Sequence, residues 1–526
     1  MILNYLPFVF LIITIVAIIA ANRVDTQVGV SWMFLAIGTL LTAGSILAIN
    51  WIETPMIEVE NWLNIGGNAV ALRYGFDDLS WKFAFALMLI LIGIVFTMPV
   101  RLDVAYRPRD WVFDLLFVFI GLIPIMSQNL LSLVIAWTLL DFLELSVHIS
   151  GLTPERINRQ AVMAFAIRMG GNWLLILAQV LSRSGFGSEV AFIGFESTSA
   201  LLLLLAAGLR LGIFPVFMPF QEEVPIRREL GTIMRFVVPA SSFILLTRLS
   251  DLVIPSNWAI LLSILALMAS FIGVLMFFLS ESSLMGRNYW VIAFSSMAVV
   301  SVVRGNADAA ITWSLALLIS GTFLSVHSEK NGPHLFYVIA LFLSLTGLPF
   351  TPTAAGFPGL IVLPFNLLDI FYILVYALLL VGFLQQQIKR EGAYNETTGW
   401  MQVSYWVGLG SLIVGFWFIS VPSIQSSVGL PVWWGSIPSL VLALSGFYLL
   451  YRFVGSDAIT LPEASPLSSQ LHGESLIYPM IERVFFAVRS LIQFVTDLLE
   501  GDSAILWIFL LFLMVMTMIL QGGPGR

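Results

Sequence analysis

Apolar stretches about one bilayer long recur along the whole chain, separated by short segments where glycine, proline or charged residues gather. A helix needs roughly 20 consecutive apolar residues to cross the hydrocarbon of a bilayer, so each stretch predicts a span. Hydropathy places the first eight near 2–21, 29–51, 79–100, 111–126, 129–148, 160–182, 198–220 and 230–250. The rest fall near 257–280, 288–304, 306–327, 334–363, 367–388, 403–423, 432–453 and 503–521. Two of these spans are interrupted. The seventh reads LLLAAGLRLGIFPVFMPF, with Gly212 and Pro215 in its middle. The twelfth reads LFLSLTGLPFTPTAAGFPGLIVLP and carries Gly347, Pro349, Pro352, Pro358 and Gly359. A broken helix at membrane depth is tolerated only where protein or a cavity surrounds it. One break falls in the fourth of five spans counted from 111, the other in the fourth of five counted from 257. Breaks at matching places predict two inverted five-helix repeats around a central pathway, against the plainer reading of two ordinary proline kinks.

Beyond Arg452 the pattern changes. A polar stretch runs from Gly455 to Gly473, and ESLIYPMIERVFFAVRSLIQFVTDLLEGD then sets Glu482, Arg483, Arg489 and Asp497 among apolar residues at helical spacing. That pattern predicts a C-terminal amphipathic lateral helix lying along the membrane or along partner subunits. The expected fold is an all-α polytopic membrane protein with about 16 transmembrane helices, two of them broken. The organisation expected is 1–108, three N-terminal spans; 109–250 and 251–390, the two five-helix repeats; 391–455, two further spans; 456–502, linker and lateral helix; 503–526, a terminal anchor.

Composition supports lipid as the solvent. Hydrophobic types make up 59% of the 526 residues and charged types 10%, against about 25% charged in a soluble domain. The first span has neither a basic leader nor a polar cleavage region, so it is expected to be retained and not processed as a signal peptide. Basic residues gather in the odd-numbered loops: Arg23; Arg101, Arg107 and Arg109; Arg156 and Arg159; Arg227 and Arg228; then Arg287, Lys330, Lys389 and Arg390. Even loops are acidic or uncharged, most clearly around Glu53, Glu58, Glu60, Asp77 and Asp78. The positive-inside rule then puts odd loops in the cytoplasm and both termini on the non-cytoplasmic side of a cell inner (plasma) membrane. Net charge is −7 with no basic patch, so nucleic acid is not an expected partner.

Candidate chemistry is sparse. The chain contains no cysteine, which excludes disulfides, thiolate metal sites and cysteine-ligated clusters. His148, His327, His334 and His472 show no metal-ligand spacing, so no metal or cofactor is expected. No phosphate loop or nucleophile elbow is present, and an independent enzyme is not expected. In the fifth span Thr138, Asp141, Glu144 and His148 are spaced 3, 3 and 4 apart and share a helical face. Ionisable groups inside a span cost several kcal/mol unless paired or wet, and they mark either a functional pathway or a structural ion pair, here with Arg168 or Arg210.

Several stretches resemble the antiporter-like proton-conducting subunits of respiratory complex I, membrane-bound hydrogenases and multi-subunit cation/proton antiporters. These are YGFDDLSWKF (Tyr74–Phe83), NLLSLVIAWTLLDFLEL (Asn129–Leu145), AAGLRLGIFPVFMPFQEEVP (Ala206–Pro225), SLMGRNYWVIAFSSMAVV (Ser283–Val300) and TGLPFTPTAAGFPGLIVL (Thr346–Leu363). The resemblance runs in order over nearly the whole chain. It implies a membrane subunit in which buried carboxylates and lysines form a charged axis at mid-membrane, with other membrane subunits, the bilayer and protons or cations as partners.

This chain departs from that pattern. The family's fifth-helix glutamate falls on Thr138. Its lysines of the seventh and eighth helices fall on Arg210 and Arg235. Its histidine and lysine of the eleventh helix fall on Ser320 and Leu324, and the charged residue after the second break falls on Leu360. The chain has three lysines, Lys82, Lys330 and Lys389, all near span ends. A buried lysine can give up its proton; arginine, with a pKa above about 12, does not. The proton-pathway candidates are therefore Asp141, Glu144, His148, Arg168, Arg210, Arg235 and Ser320. The expected function is a membrane-arm subunit of a complex-I-like redox-driven proton or cation translocator with a degenerate channel, at most non-catalytic within an NADH:quinone oxidoreductase-like or hydrogenase-like assembly. The competing expectations are a non-conducting scaffold, or a membrane partner in cation/proton antiport or inorganic-carbon uptake.

Overall fold

The computed structural model describes residues 2–24, 28–52, 55–65, 68–101, 108–150, 155–182, 192, 195–214, 216, 228–249, 254–280, 283–327, 333–389, 399–426 and 428–453. The protein is an all-α polytopic membrane protein over these residues. The N-terminal spans are α1 (Ile2–Arg23), α2 (Val28–Ile49) and α3 (Asp78–Thr97), the last prolonged by a 3₁₀ turn, Met98–Arg101. Next come α4 (Pro108–Met126), α5 (Leu130–Ser150), α6 (Glu155–Leu181), α7 (Ser197–Arg210) and α8 (Arg228–Arg248). The second group is α9 (Ser256–Leu279), α10 (Ser283–Val303), α11 (Ala307–Val326), α12 (His334–Leu345), the short α13 (Phe357–Leu360) and α14 (Leu367–Lys389). α15 (Gly399–Ser426) and α16 (Leu430–Phe453) follow. Each of the first fifteen expected spans overlaps one of these helices, except the twelfth, which overlaps two, α12 and α13. The sixteenth span and the amphipathic lateral segment lie outside the described residues.

Position in the bundle follows from which helices lack a lipid-facing side. α3, α8 and α11 bury 94%, 89% and 94% of their apolar stretches and form the centre, whereas α1 and α16 bury 28% each. Large apolar side chains on those two outer helices, such as Ile13, Val16, Val441 and Tyr448, are exposed. That is the expected surface where the solvent is hydrocarbon.

The central helices are pinned by arginines. At the C-terminal end of α3, Arg101 pairs with Glu229 at the start of α8 (3.0 Å) and donates to the Val326 carbonyl at the end of α11 (2.8 Å). Arg228 donates to the Ser325 and His327 carbonyls of the same α11 end. The last carbonyls of a helix carry partial negative charge and no intrahelical donor, so guanidinium groups settle there. At the opposite ends, Arg248 closes α8 and meets Asp77 (3.0 Å), Ser80 Oγ (3.0 Å) and Gln128 Oε1 (3.1 Å). Asp77 also accepts from the Ser80 N–H (2.7 Å) and caps α3. α3 and α8 are thus tied together at both ends.

One element was not expected. The acidic segment between α2 and α3 forms an antiparallel hairpin, β1 (Ile57–Ile65) and β2 (Asn68–Tyr74), pairing Ile57 with Tyr74 and Ile65 with Asn68. It is held to the α4–α5 turn by Gly75 N to Met126 O (2.8 Å), Gln128 N to Arg73 O (2.9 Å) and Asn129 Nδ2 to Ala71 O (2.8 Å). Backbone groups outside a helix need partners, and this turn supplies them.

Both interrupted spans break at a glycine. After α7 the chain turns at Gly212 (φ 73°), and after α12 it turns at Gly347 (φ 67°). These are left-handed conformations that glycine enters without a side-chain penalty. The second break is fully described, and its freed polar groups are met one by one. Tyr376 OH donates to the Leu345 carbonyl, Thr353 Oγ1 to the Ser344 carbonyl (2.8 Å) and Trp313 Nε1 to the Gly356 carbonyl (3.0 Å). Arg304 donates to the Leu360 carbonyl that ends α13 and pairs with the buried Asp369 of α14 (2.8 Å).

Replacing Gly347 by valine brings its Cβ to about the same spot as the Phe357 ring, whose nearest atom is 2.0 Å away, at a left-handed backbone position. Gly347→Val is expected to cost about 2–4 kcal/mol, read as a lowered thermal midpoint of the detergent-solubilised protein. Gly170→Ala, with nothing within 4 Å of the new methyl, is the neutral control. Arg101→Ala, which leaves the buried Glu229 without its partner, is expected to cost about 3–5 kcal/mol, while Arg101→Met combined with Glu229→Leu recovers most of that loss. A double variant no more stable than the single one sinks the pairing argument.

Candidate functional site

The ionisable groups of the first five-helix group converge on α5. Asp141, Glu144 and His148 are buried on one side of that helix, with Thr138 half-buried one turn before them. Facing them are Arg168 and Asn172 on α6 and Arg210 at the end of α7. The break after Arg210 is what lets α7 end at this depth and present an arginine to α5.

Arg210 and Asp141 form a two-point pair, Nη1 to Oδ2 at 2.5 Å and Nη2 to Oδ1 at 2.9 Å, with both side chains 0% exposed. The guanidinium lies over the Trp137 ring, 4.2 Å from its centroid. Trp137 is itself held by its Nε1–H donating to the Ser241 carbonyl of α8 (3.2 Å). On α6, a Cβ at Gly171 would stand 3.2 Å from Arg210 Cγ and 3.2 Å from the Ala206 carbonyl, so glycine leaves the passage for the arginine stem. Aromatic face, carboxylate fork and glycine gap together make a seat shaped for a planar cation.

Glu144 pairs with Arg168, and His148 Nε2 stands 3.8 Å from Glu144. Thr138 Oγ1 donates to Val134 O (2.7 Å) and accepts from Asn172 Nδ2 (3.2 Å), a neutral pair one turn before Asp141. The structure therefore brings Asp141, Glu144, His148, Arg168 and Arg210 into one cluster and gives each of the two acids its own arginine. Arg235, half-buried on α8, belongs to neither pair.

The second five-helix group is built differently. Ser320 is buried, donates to the Ala316 carbonyl of its own helix and accepts from Trp290 Nε1 (2.9 Å). Around it the rings form one packed series: Phe277–Trp290 (4.6 Å between centroids), Trp290–Phe294 (5.0 Å), Phe294–Trp313 (6.0 Å), Trp313–Phe357 (5.8 Å) and Phe357–Tyr376 (5.2 Å). Leu324 and Leu360 are buried beside this core.

Trp137, Gly171 and Asn172 shape the first cluster and were not singled out from the sequence. Asn172 carries a signal, being an amide in the middle of an apolar stretch. Trp137 and Gly171 carry none, since tryptophan and glycine are common in spans. Among the described residues there is no group of three or more side chains able to hold a metal ion.

No protein-family model matches the chain, and no curated protein matches it by sequence. Among solved structures it is similar to a chain of the Mrp complex from Dietzia sp. DQ12-45-1b, at a TM-score of 0.68 and 16% identity, covering 100% of this chain and 64% of that one. It is similar to a chain of the membrane-bound sulfane sulfur reductase, an archaeal respiratory membrane complex, at 0.61 and 14%, covering 97% and 99%. It is also similar to a chain of respiratory complex I from Thermus thermophilus with bound aureothin, at 0.52 and 17%, covering 83% and 98%. The chain thus spans about two thirds of the Mrp chain and nearly all of the other two. At these identities the likeness is one of architecture: the chain has the fold of the antiporter-like membrane subunits found in such complexes.

Proposed function

We propose that this chain is a non-catalytic, antiporter-like membrane subunit of a multi-subunit, redox-driven ion-translocating complex in the cell inner membrane, and that its own proton channel is degenerate. The observation that carries the reading is the two-point Arg210–Asp141 pair, fully buried over Trp137. A proton pathway needs a group that exchanges a proton at some point of the cycle. Arginine is not deprotonated in proteins, and its planar fork fits a carboxylate at two points, as a fixed pair. The cluster holds charge in place and does not pass it on. In the second group the ring series Trp290–Phe294–Trp313–Phe357–Tyr376 places no carboxylate, lysine or histidine among its members.

The chain's part in the complex is then mechanical and electrostatic: a membrane-embedded body with fixed internal charge that neighbouring subunits pack against. A purely structural scaffold is the second reading, favoured by the same locked pair. Resemblance to the Mrp complex keeps a cation/proton antiport or carbon-uptake assembly as the alternative setting. Both termini are placed on the non-cytoplasmic side by the loop-charge bias.

Three measurements test this. Gentle extraction from native membranes followed by mass spectrometry, with iron and flavin assays on the same sample, is expected to recover redox subunits; recovery of non-redox partners alone overturns the redox setting. Full-length protein in liposomes under a potassium diffusion potential is expected to acidify no faster than protein-free liposomes. A protein-dependent proton flux contradicts the degenerate channel. Arg210→Lys replaces the two-point contact by a single ammonium and is expected to cost about 1–3 kcal/mol of stability while leaving the pumping yield of the assembled complex unchanged. A yield that changes with the complex still assembled gives the pair a conducting role.

A further inference from the structure

Two polar atoms in the Thr138–Asp141 layer are buried and make no hydrogen bond to any described group: Asn172 Oδ1, an acceptor, and Arg210 Nε, a donor. Asn172 is 2% exposed and the Arg210 side chain 0%. They belong to one layer by their contacts. Asn172 donates to Thr138, which lies one turn before Asp141, and Asp141 grips Arg210. A Cβ at Gly171, the neighbour of Asn172, would stand 3.2 Å from Arg210 Cγ, so the arginine stem passes beside this turn of α6. An orphaned buried polar group costs about 1–3 kcal/mol, and two of opposite kind in one layer point to a shared small occupant.

We infer that water is held here, one molecule or a hydrogen-bonded pair, accepting from Arg210 Nε–H and donating to Asn172 Oδ1. The chemistry excludes a cation, because the guanidinium N–H presents positive charge to the occupant. It excludes an anion, because Asn172 Oδ1 and the free lone pair of Thr138 Oγ1 present negative partial charge. A neutral molecule that both donates and accepts satisfies the set, and the remaining water hydrogen has the Thr138 lone pair to meet. Such a site has the two to four polar partners that a buried water requires. It takes the place of the absent carboxylate: the layer is completed by solvent where the family completes it with charge. The assignment rests on the geometry of the cluster and holds whether or not the chain conducts.

The test is a cryo-electron microscopy map of the full-length protein in lipid nanodiscs, at a resolution that shows ordered waters elsewhere in the membrane region, for the natural protein and for Asn172→Leu. The expected result is solvent density hydrogen-bonded to both Asn172 Oδ1 and Arg210 Nε in the natural protein. In Asn172→Leu that density is expected to be lost while the Arg210–Asp141 pair remains. Overturning results are a direct protein hydrogen bond to either atom, or no density at this layer in a map that shows waters elsewhere. Should the leucine variant fail to fold, the natural protein's map alone decides.

Discussion

A charge inside hydrocarbon must find its counter-charge within the protein, and the architecture of this chain is organised around that requirement. Moving an isolated ion into a low-dielectric interior costs far more than any single packing contact returns. Arg210, buried, and Arg101, Arg168, Arg248 and Arg304, partly buried, each reach a carboxylate on or capping another helix: Arg101 to Glu229, Arg168 to Glu144, Arg210 to Asp141, Arg248 to Asp77 and Arg304 to Asp369. Each pair therefore fixes the register of two helices that the apolar surface alone would leave free to slide, since lipid and helix are equally apolar. α3 and α8, joined at both ends, become a strut against which the other helices are placed.

The same requirement explains the two broken spans. Ending a helix at membrane depth frees carbonyls that lipid cannot satisfy. At the first break the gain is a cation delivered to mid-membrane, Arg210, with Asp141 and Trp137 waiting for it. At the second break the freed carbonyls are taken up by Tyr376, Thr353, Trp313 and Arg304, and the surrounding volume is filled by rings. One device thus serves two ends: in the first group it positions charge, and in the second it is surrounded by packed aromatic rings.

Choice of arginine over lysine is decisive for both stability and chemistry. Its planar fork matches a carboxylate at two points and stacks on tryptophan, which makes Arg210 a good structural partner. The neutral Thr138–Asn172 pair lies alongside and completes the polar contacts of that layer.

Much of this was legible in the residue order. Lengths of apolar runs decided the number and placement of spans, because the thickness of a bilayer sets a ruler that no tertiary contact can alter. Gly212 and Gly347 marked the breaks, since only glycine turns so cheaply there, and the 3, 3, 4 spacing put Asp141, Glu144 and His148 on one side of α5. The hairpin at 57–74 escaped notice because its charged residues read as a loop, and its strands depend on partners more than 50 residues away, as in the bond from Asn129 to Ala71. Which arginine meets which acid was beyond the sequence as well. Asp141 and Glu144 are three residues apart, and Arg168 and Arg210 were equal candidates for both; the crossing of α5, α6 and α7 alone assigns them. Nor could composition tell that Trp290 and Trp313 pack inside the second group, because a tryptophan in a span faces lipid, an interface or a core with equal ease. Sequence determined where the chain enters and leaves the membrane, for reasons of solvent. Tertiary structure decided which charges meet and which spaces are filled, because pair energies in a low dielectric depend on distances of a few ångströms that no local pattern encodes.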